Sequence, residues 1–146
     1  MSDPVPYTDW HSGYKRGYAA HAFGRHLMKH ARDFAHDQIP PDASSEARRI
    51  AEEAVSNALY GVMMLLDGVA SSSIDPEPSK HRAQYVLLSR IRDTGGNVLD
   101  TFELAPGGDE LCMGLGMWME GEFGSHLPRG GTPQPQLDTP PNGPPA

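Results

Sequence analysis

Apolar positions recur with helical spacing through the first forty residues. At about 100° per residue, Phe23, Leu27, Ala31 and Phe34 fall on one side, and Gly13, Gly17, Ala20 and Gly24 prolong that side as a ridge of small residues. This predicts a first helix that begins near Asp9 or Ser12, either of which can cap it, and stops at Pro40 and Pro41, which cannot continue a helix. Glycine costs a helix about 1 kcal/mol per residue, so several on one stripe point to close approach by another helix, unless residues 9–17 are an irregular lead-in.

A second helix is predicted from Asp42 or Ser44 to Asp67. In its first half Ala47, Ile50, Ala51, Ala54, Val55 and Ala58 face one way, and Arg48, Arg49, Glu52 and Glu53 lie mostly elsewhere. From Ala58 onward it is apolar on every side, which predicts burial all round and makes it the central helix. Gly68 supplies a left-handed closing residue. The stretch "SSSIDPEPSKH" is a loop by composition. "AQYVLLSRIR" and "NVLDTFEL" then read as strands around "DTGGN". The preferred register sets Arg90 opposite Asp100, Leu88 opposite Phe102 and Val86 opposite Leu104, with a charge pair and two apolar pairs on one face. A short last helix follows, capped by Asp109, with Leu111, Leu115 and Trp118 as its core stripe.

The predicted fold is therefore α+β: two long helices, a β-hairpin and a short C-terminal helix in a single domain over residues 9–123. Residues 1–8 read as a flexible leader. Residues 124–146 read as a disordered Pro/Gly-rich tail, since they hold seven of the 14 prolines and almost no apolar residues.

Charge narrows the functional classes. A formal charge of −7 argues against general nucleic-acid binding, which needs a basic surface. The longest apolar run, Ala58 to Leu66, is nine residues, and a bilayer span takes about 20, so no membrane role is expected. Cys112 is the single cysteine, which excludes an intrachain disulfide and suits a reducing cytoplasm. Within the chain the charge is uneven. Residues 9–38 carry five Lys/Arg, three Asp and five of the seven histidines, whereas residues 106–123 carry Asp109, Glu110, Glu120 and Glu122 with no base. These four acids either pair with the basic first helix or form an acidic face aimed at a basic partner.

Candidate chemistry is sparse. On a helix, His26, His30, Asp33 and Asp37 share one strip at i, i+4, i+7 and i+11. Two imidazoles at that spacing beside a carboxylate can chelate a divalent ion, yet the His-Glu-x-x-His form is absent and Lys29 and Arg32 stand alongside, so a solvated surface is the simpler reading. Cys112 among Leu111, Met113 and Leu115 reads as a small buried hydrophobe. Asp67, ending an apolar segment, is either a structural helix-end residue or a functional acid. Met63, Met64, Met113, Met117 and Met119 read as core filler or as an adaptable binding surface. No phosphate loop, nucleophile elbow or dinucleotide fingerprint is present, and no cofactor is expected.

The runs "NALYGVMMLLDGV" and "DELCMGLGMWMEGEFG", with the hairpin between them, resemble small uncharacterised bacterial proteins of the toxin-immunity type. The resemblance spans residues 45–123 and implies a cytoplasmic inhibitor that binds a cognate protein, a toxin domain, and blocks it; it carries over no site residue. The expected function is thus a protein-binding inhibitor using an acidic or Met-lined surface, with Asp109, Glu110, Glu120 and Glu122 as its partner-binding residues. The alternative is a metal-dependent enzyme or metal sensor using His26, His30 and Asp33. A third is a subunit of a larger assembly docked through Gly13, Gly17 and Gly24. The oligomeric state is left open.

Overall fold

A computed structural model describes residues 3–70, 72–76, 80–106 and 110–124. Among these, two short 3-10 turns, Tyr7–Asp9 and Ser12–Tyr14, lead into α1 (Lys15–Leu27). The helix continues without interruption through a π-helical stretch, Met28–Asp33, into α2 (Phe34–Asp37). Then come α3 (Ser45–Leu66), β1 (Leu88–Arg92), β2 (Val98–Glu103) and α4 (Glu110–Met119). The fold is α+β, as the patterning predicts.

The start of the first helix differs from expectation. Neither Asp9 nor Ser12 caps α1; instead the His11 imidazole accepts the Gly13 N–H at 3.2 Å and closes the second 3-10 turn. The lead-in is irregular over residues 9–14 only; the α-helix takes over at Lys15, so Gly17 lies within it. The predicted end of α3 holds at both termini: Ser44 accepts the Ala47 N–H at 3.1 Å, and Gly68 turns the chain at φ +73°.

The core is centred elsewhere than expected. Ala19, Met28, Met63, Leu104, Leu111, Leu115 and Trp118 form the buried cluster, to which α4 contributes three residues and α3 only Met63. The expectation that α3 is enclosed on every side from Ala58 onward is overturned: Tyr60 is 47% and Val62 51% exposed. The apolar stripe of its first half also faces outward, with Ile50 at 54% exposure and Ala47, Ala54 and Ala58 exposed. α3 presents Leu59, Met63 and Leu66 to the core instead. Hydropathy alone scored the stripe of alanines as interior, but an alanine offers little area to bury, and the larger Leu59, Met63 and Leu66 win that competition.

Gly24 fulfils the prediction of a close helix approach. A Cβ at this position would lie 2.3 Å from Cδ2 and Cε2 of Trp118, so the indole of α4 rests directly on the α1 backbone. Gly114 makes room for the same ring from within α4, where a Cβ would meet Trp118 Cζ2 at 2.7 Å.

The two strands are antiparallel, but their register is shifted from the predicted one. Arg92 faces Val98; then a bulge leaves Leu99 without a counterpart, and the pairs become Ile91–Asp100, Arg90–Thr101, Ser89–Phe102 and Leu88–Glu103. One extra residue on β2 moves every later pair by one position. The predicted Arg90–Asp100 charge pair is lost, and Asp100 turns inward with Phe102. The "DTGGN" turn forms as predicted: Asn97 donates its backbone N–H at 2.9 Å and its amide at 3.0 Å to Asp93. Those bonds hold the Asp93 carboxyl below the usual carboxylate range.

Candidate functional site

A groove of about 810 Å³ lies between the start of α1, strand β2 and α4. Its base is apolar, made of Leu104, Leu111 and Trp118, and Phe102 and Met117 continue it outward. Met113 stands on one wall at 66% exposure, the most exposed large apolar side chain of the described residues. Charges of both signs border the groove: Lys15 and Arg16 from α1, Glu103 from β2 and Glu110 from α4. The groove exists because α4 turns its Leu111, Gly114, Leu115 and Trp118 face to α1 and the core, leaving Met113 uncovered and Met117 half-buried at the edge.

Three tertiary contacts hold its walls. First, Asp67, at the end of α3 and only 7% exposed, accepts the backbone N–H groups of Leu111 at 3.2 Å and Cys112 at 2.8 Å. A carboxylate from one helix end thereby caps the first turn of another, where unpaired N–H groups and the positive end of the helix dipole favour an anion. Of the two sequence readings of Asp67, the structural one fits. Second, the Trp118 indole N–H donates to His21 Nδ1 at 3.0 Å, with the rings edge-on at 85°. Accepting at Nδ1 requires the His21 tautomer that carries its proton on Nε2.

Third, the N-terminal segment is tied across the hairpin. The Tyr7 hydroxyl donates to Asp100 Oδ2, and Lys15 Nζ reaches the same oxygen at 3.2 Å. Trp10 joins Tyr7 to α1, with Tyr7 edge-on at 5.2 Å and Tyr18 stacked at 5.6 Å. Tyr7 therefore belongs to the packed structure, although the sequence places it in a loose leader. The Tyr7 hydrogen bond, and behind it Lys15, lower the Asp100 pKa, while the same carboxylate raises that of Tyr7. A depressed carboxylate contributes stability above its unfolded pKa and loses it as pH falls through the folded value. A raised phenol contributes below its unfolded pKa and loses it as pH climbs through the folded one. The latch is accordingly complete between about pH 4 and pH 10 and opens at both extremes. NMR titration of the Asp100 carboxyl is expected to show its pKa rising toward the ordinary value in Tyr7→Phe; an unchanged pKa would mean that this contact does not form.

The residues singled out from sequence fall in separate places. Glu110 lines the groove at one end of α4. Glu120 and Glu122 are exposed beyond its other end, and Asp109 lies outside the described residues. Glu120 shares a cleft of about 580 Å³ with Arg25, Lys29 and Arg32 of the first helix. Yet Arg32 bonds the Met119 carbonyl at 3.2 Å and Asp33 at 2.9 Å, and Arg25 lies 4.7 Å over the Phe123 ring. The basic first helix thus meets the negative end of the α4 dipole rather than its acids. Among the described residues, neither Glu120 nor Glu122 makes an ion pair.

The histidine strip does not form a chelating set. His26 and His30 are exposed with ring centroids 6.2 Å apart, and Asp33 is held by Arg32. The strip presumes a uniform α-helix, whereas His30 and Asp33 lie in the π-helical stretch, whose wider turn changes their phase relative to His26. Among the described residues, no group of three or more His, Cys, Asp or Glu is placed to hold a metal ion. No described helix is long and apolar enough to cross a membrane. Cys112 is half-buried in the first turn of α4.

No family model matches this chain, and no curated protein or solved structure does so either.

Proposed function

We propose that this chain is a protein-binding inhibitor of the immunity type, acting in the cytoplasm, whose partner is a toxin domain received in the groove between α1, β2 and α4. The observation that carries this reading is the exposed Met113, with half-buried Met117 beside it, over an apolar base. Met113 and Met117 are unbranched and polarizable, so they adapt to an inserted apolar side chain. Lys15 is held by Asp100, so Arg16, Glu103 and Glu110 are the border charges that face a partner, and the two acids favour a segment whose apolar residue is flanked by Lys or Arg. Net negative charge speeds encounter with such a basic partner.

Co-expression with the product of the neighbouring gene tests the reading: a toxic product is expected to be neutralised, with growth restored and the two proteins eluting together. In the same assay Met113→Asp, which sets a charge against the inserted apolar group, is expected to weaken binding at least about tenfold, or about 1.4 kcal/mol. Glu103→Lys with Glu110→Lys is expected to slow association and reduce its salt dependence. Neither complex nor protection from the adjacent product would end the immunity reading. A complex that is indifferent to Met113→Asp would move the interface off the groove.

A further inference from the structure

After α4 the chain turns back toward the groove. Gly121, at φ +81°, closes the helix and reverses the backbone. The contacts that follow step backward along the first helix. The Met119 carbonyl meets Arg32 at 3.2 Å, the Arg25 guanidinium lies 4.7 Å over the Phe123 ring, and Gly124 sits against His21. A Cβ on Gly124 would stand 2.4 Å from His21 Cδ2, so the backbone is pressed onto the imidazole. His21 lines the groove, and so do Ala20, Gly17 and Arg16, the next positions in that direction. Gly124 therefore lies at the His21 end of the groove, and residues 125–146 follow it in the sequence.

We propose that the segment Ser125–Arg129, "SHLPR", binds in this groove, with Leu127 on the apolar base and Arg129 at the acidic border. The chain then carries its own occupant, which an outside ligand must displace. Reach agrees with this placement. At about 3.4 Å per extended residue, Leu127 comes within roughly 10 Å of Gly124 and Arg129 within roughly 17 Å. His21 bonds the Trp118 indole, and Glu110 stands about 12 Å from Trp118 along α4 at 1.5 Å per residue. Pro128 biases Leu127 toward extended backbone, and along an extended chain Leu127 and Arg129 share one side.

Composition selects this segment over the rest of the tail. Apart from prolines, Leu127 and Leu137 are the two large apolar residues after Gly124. Arg129 stands two places beyond Leu127, whereas Asp138 follows Leu137 directly. With Lys15 held by Asp100, the border sets Glu103 and Glu110 against Arg16, a balance that favours an arginine and disfavours an aspartate. The contact can be weak and still matter. A short tether gives an effective concentration on the order of millimolar, so a contact of about millimolar affinity is filled about half of the time. The inference rests on the groove and on the course of the chain into it, and it is independent of the inhibitor reading.

Oxidation of Met113 to its sulfoxide by dilute peroxide, followed residue by residue by mass spectrometry on the full chain, reads the occupancy. Half occupancy predicts Met113 oxidation about twofold faster in Leu127→Asp and in Arg129→Glu than in the unaltered chain. Leu137→Asp is expected to keep the unaltered rate, and Met28 and Met63, 3% and 1% exposed, serve as slow internal references. The ratios are expected to hold on dilution, because the contact lies within one chain. An unchanged Met113 rate in either of the first two variants, or an equal gain in Leu137→Asp, would overturn the proposal. So would protection that fades on dilution, which would make a second copy the occupant.

Discussion

Truncating Trp118 to alanine is expected to remove about 3–5 kcal/mol of stability, a large share of the roughly 5–15 kcal/mol available to a domain. The side chain is 2% exposed, donates to His21, and meets the Phe23 ring edge-on at 5.8 Å. The informative experiment couples this truncation to Gly24→Ala. In the native protein an added methyl lands 2.3 Å from the indole, and the ring or helix must shift at a cost of about 1–3 kcal/mol. In the Trp118→Ala background the methyl enters vacated space, and the usual helix preference for alanine over glycine, about 1 kcal/mol, is expected to show as a gain. Denaturant unfolding of the four proteins measures the coupling. Strictly additive losses would mean that Gly24 is not there to admit the ring.

The second large effect is expected at Asp67. Asp67→Ala withdraws one carboxylate that serves two backbone N–H groups at the start of α4, and a loss of about 2–3 kcal/mol is anticipated. Asp67→Asn keeps one acceptor oxygen and should recover part of it. Hydrogen exchange gives the local readout, because the amides of Leu111 and Cys112 are expected to lose protection before those of α1. A change below about 0.5 kcal/mol, the size of an ordinary surface substitution, would show that other groups take over the cap.

These two sites illustrate what could be read in advance. The α4 stripe of Leu111, Leu115 and Trp118 is buried as its spacing predicts, because large side chains on a short helix leave little choice of face. Gly24 was legible as a close approach, though not the identity of its neighbour. Asp67 stands out in sequence as a carboxylate ending an apolar segment, but its partners lie 44 and 45 residues away and leave no local trace. Tyr7 and Asp100, 93 residues apart, fall under the same limit. The register failed because a bulge is a one-residue event that alternation of polar and apolar positions does not encode when both faces are half exposed. In the first half of α3 the alanines are apolar yet offer little surface to hide, and from Ala58 onward Leu59, Met63 and Leu66 take the one face that the core covers, which leaves Tyr60 and Val62 outside. In the groove, the sequence leaves Met113 and Met117 as either core or surface, and the structure exposes the first and half-buries the second; the charged border at Lys15 and Arg16 depends on α1 and α4 lying side by side.

The π-helical stretch Met28–Asp33 has a consequence for how the first helix tolerates change in chain length. Phe23 and Leu27, before it, pack against the core, while Phe34, just after it, is 62% exposed despite continuing the same numerical spacing. A wider turn of this kind absorbs one surplus residue without breaking the rod. The helix behaves there like a belt with a spare notch: losing a single residue between Met28 and Asp33 would tighten it to ordinary winding and swing Phe34 toward the interior side, leaving the seating of Gly24 under its ring undisturbed.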